Sequence, residues 1–142
     1  MTTLSEHKEA IREIIDLFSA LEIDVAEQAK LFTPKAHVEI YAPDGSLMME
    51  FDGRDKLIEI FGGAMATVKT AYHFNGQQVI TIDGDTATDI HYGKAILIQE
   101  RDGKDVLVDN SIRYTDTLVL VNGTWLISRR EQHFVITETR PA

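Results

Sequence analysis

From Thr81 onward, three Asx-Gly dipeptides, Asp83-Gly84, Asp102-Gly103 and Asn122-Gly123, recur at nearly even spacing. Asn or Asp followed by Gly readily adopts the positive φ angles of tight hairpin turns, so each pair marks a chain reversal. The stretches between them are rich in β-branched and aromatic residues. The spacing therefore predicts four long antiparallel strands at about 70–82, 85–101, 105–121 and 124–137. Strands of that length need something to cover one face.

The first half supplies helices for that purpose. Thr3 and Glu6 form a capping-box pattern, and Ile11, Ile14, Ile15, Phe18 and Leu21 follow at helical spacing on one face. Asp24 and Glu27 repeat the cap before a shorter helix carrying Ala29, Leu31 and Phe32, which Thr33-Pro34 should stop. His37–Tyr41 alternates as a short strand turned by Pro43-Asp44-Gly45, with Met48 and Met49 in the loop beyond. A third helix carries Leu57, Ile60, Phe61, Ala64 and Met65, and Gly62-Gly63 predicts a break or mobile end within it. The tail Glu138–Ala142 is expected to fray. Helices first and a meander after predict an α+β fold, with three N-terminal helices packed on a strongly curved, mainly antiparallel sheet.

Composition narrows the function classes. A chain of 142 residues with 44% hydrophobic and 26% charged content reads as one globular domain, residues 1–142, with room for a cavity. No apolar run approaches the roughly 18 residues that span a bilayer, so no membrane partner is expected. A net charge of -9 argues against nucleic acid. The absence of cysteine and of a signal-like N-terminus fits a cytoplasmic protein. The histidines show no metal-ligand spacing and no strand is followed by a glycine-rich phosphate loop, so neither metal nor cofactor is expected.

Several strings, in order, resemble the SnoaL-like family of the nuclear transport factor 2-like superfamily. They are Asp24 to Ala36, Gly53-Arg54-Asp55, Tyr72-His73-Phe74, Ile82 to Ala87, Arg113 to Asp116, and Val121 to Trp125. The resemblance implies a cone-shaped barrel wrapped round the first helix, a largely apolar cavity at its open end, and a homodimer through the outer sheet face. His73 matches the general-base histidine of scytalone-dehydratase-like members. The carboxylate that orients that histidine in such relatives falls at Leu21 here, and the preceding tyrosine at Ala20, so the resemblance supplies the base without its usual partners.

If the hairpins alternate as the family pattern suggests, His73, Asn75, Asp89, His91, Asn110, Tyr114, Asp116, Arg130 and Gln132 share the cavity face. One residue of slip would turn them all outward. Tyr114 and Asp116 are the candidate catalytic partners of His73. Asn75, His91, Asn110, Arg130 and Gln132, with Tyr41, Phe18, Phe61 and Met65, are the candidate ligand contacts. The alternatives are a His73 buried against a backbone carbonyl, and cross-strand ion pairs among Asp89, Asp116 and Arg130. The expected function is a cofactor-free lyase or isomerase, of dehydratase or cyclase type, acting on a small hydrophobic ring compound. A non-catalytic binding module for such a ligand and a dimerising domain with a collapsed cavity are the competing readings.

Overall fold

The computed structural model describes residues 1–142. Helix α1 (Leu4–Ala20) starts on the Thr3/Glu6 capping box, with both reciprocal hydrogen bonds made. Its buried stripe is Ile11, Ile15, Phe18 and Ser19. Removing a fully buried isoleucine such as Ile11 or Ile15 forfeits about 1.5–3 kcal/mol of burial. Helix α2 (Val25–Ala29) is capped by Asp24, whose carboxylate accepts from the Glu27 backbone N–H. Strands β1 (Phe32–Tyr41) and β2 (Leu47–Asp52) form a hairpin, helix α3 (Arg54–Met65) follows, and β3 (Val68–Asp83), β4 (Thr86–Arg101), β5 (Lys104–Val121) and β6 (Thr124–Pro141) form the meander.

All six strands join one sheet in the order β2-β1-β6-β5-β4-β3. Every neighbouring pair is antiparallel except β1 and β6, which run parallel. The meander turns are two-residue loops, since Asp83 pairs with Thr86, Arg101 with Lys104 and Val121 with Thr124. Asp102, Gly103, Asn122 and Gly123 all take positive φ, which is what the Asx-Gly pairs supply. Register shifts at Asn75/Gln78 and Ser111/Ile112 interrupt the ladders, and such bulges bend a sheet. The concave face thereby wraps round α1.

Four local expectations differ from the structure. Thr33-Pro34 lies inside β1, because the β1–β6 ladder is interrupted between Phe32 and His37 and asks no N–H of the proline there. Met48 and Met49 belong to β2, paired with β1 as an edge hairpin, instead of to a loop. Gly62-Gly63 sits within a continuous α3. The tail does not fray, since β6 continues to Pro141 by pairing Thr137 through Pro141 with Asn110 through Val106.

Candidate functional site

The two-residue turns preserve alternation, and the concave face is built in cross-strand rows. Ile80, Asp89, Asp116 and Arg130 form one row; Gln78, His91, Tyr114 and Gln132 the next. Asn75, Gly93, Ile112 and Phe134 follow, then His73, Ala95, Asn110 and Thr137. The polar set read from the sequence does share one face. That face, however, is divided between an open cavity and a closed charged layer.

The cavity has a volume of about 580 Å³ and a mostly apolar wall. Phe18, Phe61, Met65, His73, Asn110, Tyr114 and Gln132 all line it, together with Met48, Met49, Ile112 and Phe134. At its wall the Nδ1 of His73 lies 2.5 Å from Oε2 of Glu22. A carboxylate accepts, so Nδ1 is the donor of this bond, and Nε2 is the nitrogen that carries the lone pair in the neutral ring. Nε2 is buried and has no hydrogen-bond partner. The His73 ring stands edge-on to Phe18 at 6.4 Å and roughly parallel to Tyr114 at 6.4 Å.

Glu22 corrects the expectation that the histidine lacks its carboxylate. Helix α1 ends at Ala20 with Leu21 as its C-cap, so the chain turns there and it is the next side chain that reaches β3. The signal in the sequence was an acid one position beyond the matched one, and only the helix end distinguishes the two. His73 is likewise not tied to a backbone carbonyl. Its ring has room because Gly93 lies across the ladder: a Cβ there would come within 3.1 Å of Asn75 Oδ1, 3.2 Å of Phe74 O and 3.3 Å of His73 Nε2. Gly93→Ala is expected to cost about 1–2 kcal/mol through this crowding and to weaken ligand binding by displacing the ring, both readable by urea unfolding and ligand titration.

Four expected contacts, Asn75, Tyr41, His91 and Arg130, and the expected catalytic partner Asp116 lie away from the cavity wall. Asn75 is engaged with α1, accepting from Ser19 Oγ at 3.0 Å and donating to Ile15 O and Asp16 Oδ1, each at 3.2 Å. Tyr41 is on the outer face, stacked on His133 at 4.4 Å with its hydroxyl donating to Glu39. Asp116, Arg130 and His91 form the closed layer. Arg130 donates to Asp116 through Nε at 2.9 Å and Nη2 at 2.8 Å, and His91 Nε2 meets the same carboxylate at 2.9 Å. The guanidinium also lies 4.0 Å from the centroid of Phe18, 4.6 Å from Tyr114 and 5.4 Å from Phe32. Asp116 is a buried ion-pair partner rather than a wall residue, as the wholly covered side chains of this pair require.

Burial sets the electrostatics of this layer. It would raise the Asp116 carboxyl, but the Arg130 charge and the hydrogen bonds from Arg130 and His91 outweigh it and hold the group at about 2. Burial lowers His91 despite that carboxylate, and pushes the Tyr114 phenol up. Asp89, also fully buried, has no partner for either oxygen; burial, reinforced by the Asp116 charge, pushes it up to about 7.

A separate polar group occupies the outer face. His37 reaches Asp52 at 2.8 Å, Glu39 at 3.4 Å and Glu50 at 3.5 Å, and hydrogen bonding to Asp52 raises its pKa although burial opposes this. Glu39 is further held by Arg129 at 2.7 Å. The sheet brings His37, Glu39 and Glu50 within ligand distance of one another, which their sequence spacing did not show, but Glu39 is already engaged by Arg129.

A family model described as a SnoaL-like domain matches residues 4–131. The chain belongs to the SnoaL-like domain family. Among solved structures, this SnoaL-like protein is similar to a candidate scytalone dehydratase from Novosphingobium aromaticivorans DSM 12444, at 25% identity and a TM-score of 0.78, over 96% of this chain and 91% of that one. It also superposes on a candidate aromatic ring hydroxylase from Novosphingobium aromaticivorans, at 19% identity and a TM-score of 0.81, over 99% and 96% of the two chains. A nuclear transport factor 2-like superfamily protein from Salmonella enterica serovar Typhimurium aligns at 16% identity and a TM-score of 0.76, over 94% of each chain. The last two show the fold alone. No curated protein matches the chain in sequence. The SnoaL-like fold with its curved, open sheet makes this a pocket protein of the superfamily.

Proposed function

We propose that the SnoaL-like protein is a cofactor-free lyase or isomerase that moves a proton on a small hydrophobic ring compound, with His73 as general base. The observation that carries this reading is the Glu22–His73 pair at the wall of an apolar cavity. Glu22 fixes the tautomer and stabilises the imidazolium formed when Nε2 takes a proton, the role a carboxylate plays beside any basic histidine. Tyr114, Asn110 and Gln132 share the cavity wall and supply hydrogen-bonding groups for a carbonyl or hydroxyl of the ligand. The likeness to the candidate scytalone dehydratase supports the same class of substrate.

The competing reading is a binding module. It is favoured by Nε2 itself, which the surrounding atoms cover almost completely. A panel of cyclic β-hydroxy ketones and β,γ-unsaturated ketones separates the two, followed by the ultraviolet absorbance of the conjugated product. Turnover is expected, with His73→Asn lowering kcat by about 100-fold or more and leaving affinity within a few fold. Glu22→Gln is expected to lower kcat by about tenfold and to change its pH profile. Binding of these ketones without turnover by the unmodified protein would establish the binding module instead.

A further inference from the structure

We propose that the cavity takes a monoanionic amphiphile: a flat apolar ring system whose neutral end meets the Glu22–His73 pair and whose carboxylate or sulfonate is held by Arg101 at the mouth. The inference rests on the cavity being a ligand site and specifies which ligands it selects. Its basis is the distribution of charge along the wall. Glu22 is the one acidic side chain there and is already hydrogen-bonded to His73, while Arg101 is the one Lys or Arg. In a chain of net charge -9, a cation at the edge of an apolar pocket makes a local attractor for an anion.

Arg101 is also oriented. With the Gln99 amide turned so that donors face acceptors, Gln99 Oε1 accepts from Arg101 Nε at 2.6 Å and Nη2 at 2.8 Å. Two of the five guanidinium N–H groups are thereby used, and three remain for a ligand. Arg101 enters no ion pair, whereas its neighbours Glu100 and Asp105 both face Lys69. A planar guanidinium with free donors matches a carboxylate or sulfonate better than an ammonium would.

The geometry sets the length of the ligand. His73 pairs with Ala95, and Leu97, Gln99 and Arg101 follow Ala95 on the same face of β4. Six residues of extended chain place Arg101 about 20 Å from Ala95. With both side chains reaching into the space between, the ligand spans on the order of 10–15 Å, two or three fused rings with an acidic arm. Glu22 at the other end disfavours the reversed orientation, because it would meet the anion with a like charge.

Two dyes that differ by one sulfonate test this: 8-anilinonaphthalene-1-sulfonate and its uncharged analogue N-phenyl-1-naphthylamine, each titrated by fluorescence into the full chain and into Arg101→Gln. Arg101 lies exposed at a hairpin end, so the substitution leaves the core untouched. The expected result is competition of the two dyes for one site, tighter binding of the anionic dye, and a loss of about fivefold or more of its affinity in R101Q with the neutral dye within twofold. Equal affinities in the unmodified protein, equal losses in R101Q, or failure to compete would overturn the anion preference while leaving the pocket and its proposed chemistry standing. Failure of both dyes to bind would overturn the ligand-site reading, and this inference with it.

Discussion

Arg130→Met is expected to destabilise the protein by about 3–5 kcal/mol in urea unfolding at pH 7. Arg130 and Asp116 are both wholly covered, and the guanidinium supplies two of the three hydrogen bonds the carboxylate receives. Removing it leaves a buried carboxylate held at about 2 by a charge that is no longer present. The aromatic faces of Phe18, Tyr114 and Phe32 lose their cation at the same time. Most of the loss belongs to the orphaned anion, not to the attraction of the pair, because burying two charges costs nearly what their pairing returns. The double variant Arg130→Met/Asp116→Asn should therefore recover more than half of the lost stability. It should also keep ligand affinity, since neither side chain lines the cavity. A loss below about 1 kcal/mol, or a double variant no more stable than the single, would show that the layer is hydrated and its charges solvated.

The frame of this fold was legible because its determinants are local. Asp102-Gly103 and Asn122-Gly123 encode positive φ, two-residue loops follow, and alternation then carries the face of every residue along strands of 16 to 18 residues. What local pattern does not carry is depth along that face. Asp116 and Tyr114 stand two residues apart on β5 and point the same way, yet one is sealed under α1 and the other borders the cavity. The difference is set by Phe18 and Phe32, which come from α1 and β1 and close over Arg130. Glu22 was missed for a related reason: the position of a turn residue depends on where α1 stops, and helix ends are the least determined feature of a helical pattern. The C-terminal tail shows the same limit, because only pairing with β5 makes it strand, and Pro34 is tolerated in β1 only because the β1–β6 ladder has a gap there.

Asp89→Asn is expected to become progressively more stable than the unmodified protein as the pH rises, the difference growing by about 2–4 kcal/mol between pH 4 and pH 8. Asp89 has an ordinary value of 3.8 and is raised to about 7 in the fold, by burial first and by the Asp116 charge second. A raised carboxyl binds a proton in the folded state that the unfolded chain releases near 3.8. Its contribution to stability is therefore complete below that value and is lost as the pH climbs through about 7. Asparagine has no charge to bury, so the variant escapes the loss. Asp116 works in the opposite sense, stabilising above 3.8 and failing only as the pH falls towards 2, and it is present in both proteins. Urea unfolding at pH 4, 6 and 8 reads the difference directly. A difference that stays flat would mean that Asp89 is ionised throughout, in which case water or a cation must reach the two oxygens that now lack partners. A carboxyl so placed opposes folding at neutral pH without touching the cavity wall, and Asp89→Asn should leave binding of the anionic dye unchanged while it raises stability.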